Sequence, residues 1–201
     1  LYTITGGLGG LGPRAAKMLV ESGATGVVLS SRSGRMARPS VDAERSVPMH
    51  VAACDIGDAA DALAPLASVA AAGMLHAAGV VHDKMLRSMA IDDVRAVFAP
   101  KALAASHVQA VVVQVPLEAF GLFSSVTSTF GNVGQANYAA ANSYLDVLAF
   151  HCRMVSGVAG SSLQIPAVRG FVMMATQPNE DHLKAMGAIS LDVFAACLGA
   201  S

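Results

Sequence analysis

Five glycines fall within seven residues, GGLGGLG at positions 6–12, and they sit between two stretches of different periodicity. Before them LYTIT is a short β-rich run. After them PRAAKMLVESG has helical spacing and closes on a glycine. A second β-rich run, VVLSSR, follows. Strand, glycine turn, helix and strand in this order open a parallel sheet of the nucleotide-binding kind, and few other folds begin so. Gly7, Gly9 and Gly12 fit the GxGxxG pattern, in which glycine lets the backbone turn tightly and approach a pyrophosphate at the positive end of the helix. The plainer reading of the same glycines is a tight strand-to-helix turn. Their place between strand and helix favours the cofactor.

The end of the second strand bears on which cofactor. An NAD site places an acidic residue there for the ribose 2′-hydroxyl. This chain has Ser31-Arg32 and no acid nearby, and a guanidinium matches a 2′-phosphate in charge and in fork geometry. NADPH is therefore expected, against the alternative that Arg32 is a solvated loop arginine like Arg35 and Arg38. A third run, MHVAACD, ends at Asp55, which either accepts from an adenine amino group or caps the segment DAADALAPLAS after it. A fourth strand runs into HAAGV, His76 to Val80, whose small residues leave room for a cofactor across the sheet edge.

IDDVRAVFAPKALAASHVQAVVVQV reads as one long helix interrupted near Pro100, with Lys101 next to it. LEAFGLFSS is a fifth strand ending at Ser124-Ser125. In GQANYAAANSYLD, Tyr138 and Asn142 lie one helical turn apart and point the same way. A tyrosine that donates a proton needs a cation near it, yet the next turn carries Asn142 where a lysine is usual.

Taken together, TGGLGGLG, LSSRSG, CDI, HAAGV, APKALAA and LFSSVTSTFGNVGQANYAAANSYLD resemble the ketoreductase domain of modular polyketide synthases and animal-type fatty acid synthases, within the short-chain dehydrogenase/reductase superfamily. The resemblance covers about residues 1 to 165. In that family lysine and asparagine have exchanged places. The lysine precedes the tyrosine by 37 residues and the serine precedes it by 13, which implies a catalytic set of Tyr138, Ser125, Lys101 and Asn142. It implies cofactor contacts from Thr5, Gly6, Gly7, Gly9, Gly12, Ser31, Arg32, Asp55, Ala77 and Gly79. It also implies an acyl carrier protein as bearer of the β-ketoacyl substrate, with neighbouring synthase domains, including a structural subdomain, as partners.

The chemistry can be argued independently. Hydride addition to a ketone creates an alkoxide, and Tyr138 can protonate it. A nearby ammonium would lower the phenol from its ordinary pKa of ~10. Ser125 can hold the carbonyl oxygen, and Asn142 can accept from Lys101 or orient a water. Family members making D-configured products carry Leu-Asp-Asp after HAAGV, and those making L products carry a tryptophan eight residues before the tyrosine. Here the corresponding residues are Val81-His82-Asp83 and Phe130, so Asp83 and Phe130 are the expected determinants of product configuration, and the D product is expected.

There are departures. The family's Trp-Gly pair on the sixth strand is Ile165-Pro166 here, and the chain has no tryptophan. Proline lacks an N–H, so the nicotinamide amide is expected to be held differently. The segment from Ser33 to Pro48 is short for a parallel crossover, so its helix should be abbreviated. MATQPNEDHLKAMG, 174–187, is the expected lid.

Net charge of −1 with no basic block argues against nucleic acid, and no apolar run reaches the ~20 residues a membrane span needs. Three cysteines without a CxxC pair read as buried apolar residues in a reducing compartment, and six histidines without HxxxH spacing argue against a metal. The expectation is a single α/β domain over 1–201, a Rossmann-like parallel sheet with helices on both faces. It has the look of the catalytic half of a ketoreductase cut from a longer cytoplasmic polypeptide. A free-standing reductase of small ketones or acyl-CoA, or a non-catalytic remnant, are the rivals.

Overall fold

The computed structural model describes residues 1–35, 47–62, 71–171 and 180–200. Strands β1 (Tyr2–Thr5), β2 (Val27–Ser31), β3 (Met49–Ala53), β4 (Gly73–His76), β5 (Ala119–Ser125) and β6 (Gly160–Ile165) form one sheet in the order β3-β2-β1-β4-β5-β6. Every neighbouring pair is parallel. The chain lays strands outward from β1 in one direction, then returns to place β4 on the other side. That reversal opens a crevice at the carboxyl ends of β1 and β4, where ligands bind in sheets of this kind.

Alternation along the strands sends side chains to opposite faces, so each face has its own core. Met74, Phe120 and Leu122 pack with Val108 and Leu145 on one side. Ile4, Leu29, Leu75 and Phe123 pack with Ala15 and Phe194 on the other, and the Phe123 and Phe194 rings meet edge to face at 5.6 Å. The helices behind these cores are α1 (Gly12–Glu21), α2 (Ile91–Phe98), α3 (Ala104–Val112), α4 (Thr127–Phe130), α5 (Ala136–His151), α6 (Glu180–Ala185) and α7 (Leu191–Gly199). The expected Rossmann-like sheet with helices on both faces is what forms.

The interruption near Pro100 is a π turn, Ala99–Leu103, which joins α2 to α3 in one continuous helix. A proline cannot donate to the helical ladder, and a widened turn absorbs the loss without breaking the rod. This turn carries Lys101 inward.

Residues 36–46 of the crossover between β2 and β3, 63–68 of DAADALAPLAS and 174–179 of the expected lid lie outside the described residues. Two expectations are corrected. Cys54 and Cys152 are buried, but Cys197 is exposed on the outer side of α7. Asp55 does not cap a helix: its carboxylate accepts from Gly57 N, and Asp58 caps the turn that follows by accepting from the N–H groups of Ala60 and Asp61.

Candidate active site

A cleft of about 250 Å³ opens at the carboxyl edge of the sheet. The glycine turn contributes Gly9 and Gly10, the segment after β4 contributes Ala77 and Gly79, the π turn contributes Lys101, and Ser125 and Tyr138 close it. Ile165 and Pro166 form its far wall. Sequence elements more than a hundred residues apart therefore meet in one place.

Lys101 is 4% exposed. Its Nζ donates to the carbonyl of Phe123 at 2.8 Å and lies 5.4 Å from the centroid of the Tyr138 ring. Burial pulls its pKa down to about 8, against an opposing pull from the carboxylate of Asp146. A methyl group placed on Gly79 would come 3.2 Å from Nζ, so that glycine leaves space for the lysine as well as for the cleft.

Tyr138 is mostly buried, and burial raises its pKa. The Asn142 amide and the Ser125 hydroxyl draw it back, while Asp83 adds to the rise. The net shift is thus upward where a lowered phenol was expected, because burial outweighs the groups that favour the phenolate, and Tyr138 stays a protonated phenol well into the alkaline range. The ammonium lies over the ring face and is held by a backbone carbonyl. Asn142 is likewise differently engaged. Its Nδ2 donates to the Tyr138 carbonyl at 2.8 Å, and its Oδ1, with the residue wholly buried, has no hydrogen-bond partner. It does not accept from Lys101.

His76 was not singled out as a site residue by the sequence. It is 0% exposed, and its ring bridges Thr5 Oγ1 at 2.7 Å and the main-chain carbonyl of Lys101 at 2.9 Å. Burial first, then the Lys101 charge, lower its pKa to about 4, so it is neutral. Thr5 thus spends its hydroxyl inside the sheet end and does not line the cleft.

The glycine turn shows which glycines matter. Gly6 has φ +66°, and a Cβ there would lie 2.5 Å from the Ala78 backbone. A Cβ on Gly7 would meet Ile4 O at 2.7 Å, and one on Gly12 would meet Gly7 Cα at 2.5 Å. Gly9 has open space before it. Gly10, outside the GxGxxG register, has φ +58° and would collide with the ring of Phe171 at 2.4 Å. The GxGxxG pattern marks Gly7, Gly9 and Gly12 only, and it takes backbone geometry to show that Gly6 and Gly10 are constrained as well. With α1 starting directly behind this turn and no side-chain cap at its first residue, the residues fit a dinucleotide pyrophosphate.

The remaining expected residues lie around the rim. Arg32 is exposed just past β2, and Ser31 Oγ accepts from Gly34 N. Asp83 accepts from Gln135 Nε2 at 2.9 Å, and Gln135 itself is buried and lines the cleft. The loop carrying Asp83 is fastened by Asp93, which takes Lys84 Nζ at 2.7 Å and His82 Nε2 at 2.9 Å. Phe130, by contrast, is 82% exposed and forms no part of the cleft wall. Of the expected lid, Met186 lines the cleft. Among the described residues no group of three His, Cys, Asp or Glu could hold a metal ion, and no helix is long and apolar enough to cross a membrane.

A parallel sheet with a glycine turn at its switch point, and a tyrosine, a serine and a buried lysine gathered at the same edge, defines the short-chain reductase class of Rossmann-like proteins. A family model described as KR domain matches residues 1–170. The polyketide synthase GfsB of Streptomyces halstedii is 42% identical over 158 residues, which is 74% of this chain and 3% of that protein. A solved structure described as A-type ketoreductases from a modular polyketide synthase superposes with a TM-score of 0.83 at 33% identity, over 97% of this chain and 44% of that one. A short-chain dehydrogenase/reductase from Vibrio parahaemolyticus shares the fold at a TM-score of 0.79 and 16% identity, over 100% of this chain and 89% of that one. The chain belongs to the KR (ketoreductase) domain family of polyketide synthases.

Proposed function

We propose that this chain reduces a β-ketoacyl thioester, borne by an acyl carrier protein, to the β-hydroxyacyl thioester with NADPH. The observation that carries the reading is the position of Lys101, buried against the Tyr138 ring at the edge of the cleft that Ser125 also lines. NADPH, when bound, supplies the hydride. Ser125 donates a hydrogen bond to the substrate oxygen and stabilises the charge that develops on it. Tyr138, kept protonated by burial, gives its hydroxyl proton to that oxygen. The Lys101 ammonium stabilises the phenolate left behind, which is reprotonated from solvent after the transfer. Arg32 supports NADPH over NADH.

The carrier protein, neighbouring synthase domains and a cytoplasmic setting are proposed from the likeness to polyketide synthases. The test is NADPH consumption with a carrier-bound and a free β-ketoacyl thioester, with Tyr138→Phe as control. Turnover abolished by that substitution supports the reading, and carrier-independent rates would favour a free-standing reductase. A non-catalytic remnant draws on Phe171, whose ring lies against Gly10 of the cradle, and on the Ile165-Pro166 wall. It predicts no NADPH oxidation by the unaltered protein.

The proposed product is D-configured, because Asp83 is tied to Gln135 on the cleft wall whereas Phe130 faces solvent. A difference of ~1.4 kcal/mol between two poses already gives tenfold selectivity. Chiral chromatography of the product decides it, and a mainly L product refutes it.

A further inference from the structure

We propose that His76 is a positioning residue for Lys101, acting through the main chain of the π turn. The inference rests on the reductase reading for its consequence, but the geometry stands without it. Lys101 O is a carbonyl and can only accept, so His76 Nε2 must carry the ring hydrogen. In the neutral ring Nδ1 then accepts, and the hydrogen between it and Thr5 belongs to the threonine hydroxyl. One tautomer therefore satisfies both partners, whereas the other, though it could still donate to the threonine oxygen, leaves the Lys101 carbonyl facing a lone pair.

The bridge ties the π turn to the paired ends of β1 and β4. Thr5 is the last residue of β1, immediately before the glycine turn. His76 is the last residue of β4, paired with Thr5 across the sheet. Lys101 lies in the π turn, where helical hydrogen bonding is irregular: the N–H of Ala104 reaches both Ala99 O and Lys101 O. A widened turn leaves the orientation of Lys101 weakly determined by its own helix. The imidazole fixes the backbone of Lys101, and from there the side chain reaches Phe123 O and the Tyr138 ring. The lysine is thus held at both ends, its carbonyl by His76 and its ammonium by β5.

A lysine released from this hold would swing toward solvent and regain its ordinary basicity. The titratable groups that face it are His76 from β4 and Tyr138 and Asp146 from α5. None of the last two is altered by changing His76, so a shift in Lys101 reports its position.

The experiment labels the lysine side chains with ¹³C at Cε and follows the Lys101 resonance against pH in the whole chain, with Lys101→Met for assignment. In the unaltered protein the midpoint is expected near the depressed value of about 8. In His76→Leu it should rise by one unit or more, a tenfold or greater change in proton affinity. In His76→Gln, whose amide Nε2 can donate to the same carbonyl, it should stay near the unaltered value. Thr5→Val removes the hydroxyl that anchors the other side of the ring and should give a smaller rise, and it serves if His76→Leu does not fold. A Lys101 midpoint unmoved in both His76→Leu and Thr5→Val, or moved equally by His76→Gln and His76→Leu, overturns the proposal. Turnover is read alongside. If the unaltered protein does not reduce a β-ketoacyl thioester, the functional reading fails while the lysine titration still decides this one.

Discussion

Lys101 and Tyr138 divide the electrostatic work differently from a simple ammonium-and-phenolate pair. Burial raises the phenol and lowers the lysine, so as pH climbs the lysine loses its proton first. The alkaline limb of kcat/KM for ketone reduction should therefore lie near 8 and belong to Lys101, since kcat/KM reports the free enzyme. Replacing Lys101 by arginine, which stays charged, should remove that limb while lowering the rate by tenfold or more, because the longer planar group cannot occupy the same space under Gly79. A limb unchanged in Lys101→Arg would assign it elsewhere. Arg32 offers a second test. It is exposed at the end of β2, free to reach a 2′-phosphate, and the contact of a guanidinium with a doubly charged phosphate is worth roughly 1.5–3 kcal/mol. Arg32→Ala should weaken NADPH binding about tenfold or more and NADH binding by less than twofold, measured by calorimetry. Equal losses would remove the NADPH assignment. These side chains were readable from the sequence because each carries distinctive chemistry at a fixed offset from Tyr138 or from a strand end. His76 was not, because its function depends on touching a carbonyl 25 residues away.

The glycine turn separates folding from binding in a way that can be measured. Gly6 sits at φ +66° with the Ala78 backbone 2.5 Å from where a Cβ would be, so Gly6→Ala meets both left-handed strain and an immovable neighbour. Strain alone costs about 1–2 kcal/mol. Chemical denaturation should show a loss of at least that size, or failure to fold. Gly9 has its nearest such neighbour, Gly6 O, at 3.9 Å. Gly9→Ala should leave stability within about 1 kcal/mol of the unaltered protein and instead weaken NADPH, because the added methyl enters the cleft. Reversal of the two effects would mean that the turn has been read in the wrong register. The elements themselves were legible where periodicity was strong: the first five strands and the Lys101 helix stand where β-rich runs and helical spacing put them, whereas the sixth strand was expected only from the family resemblance and lies at Gly160–Ile165. The π turn was visible only as an interruption, since Pro100 announces a break but not how the helix survives it. Gly10 was missed because it stands at a free position of the GxGxxG pattern, and only its positive φ and the nearby Phe171 ring reveal its constraint.

Across the molecule, the interior of the sheet edge is stabilised by groups whose protonation states the fold enforces, and acid should undo it in two stages. His76 titrates near 6.5 when unfolded and at about 4 when folded. Between these values the unfolded chain binds more protons, so folding stability rises with pH and is lost on acidification through this window. The gap is worth roughly 3 kcal/mol at its full extent. For a chain of this length that corresponds to a fall in Tm on the order of 6–12 °C between pH 7 and pH 4. Asp93 follows. Its folded pKa, lowered to about 2 by Lys84 and by the Ala90 N–H, makes its contribution complete above 3.8 and lost as pH falls toward 2. Releasing that carboxylate would unfasten the loop bearing Asp83, so the second stage should also loosen the cleft. Glutamine at position 76 keeps a donor for Lys101 O but cannot titrate. The Tm of His76→Gln should therefore be nearly flat from pH 6.5 to 4 relative to the unaltered protein, with the steeper fall below pH 3.8 retained in both. Parallel curves for the two proteins through the first window would mean that His76 is not held neutral by the fold.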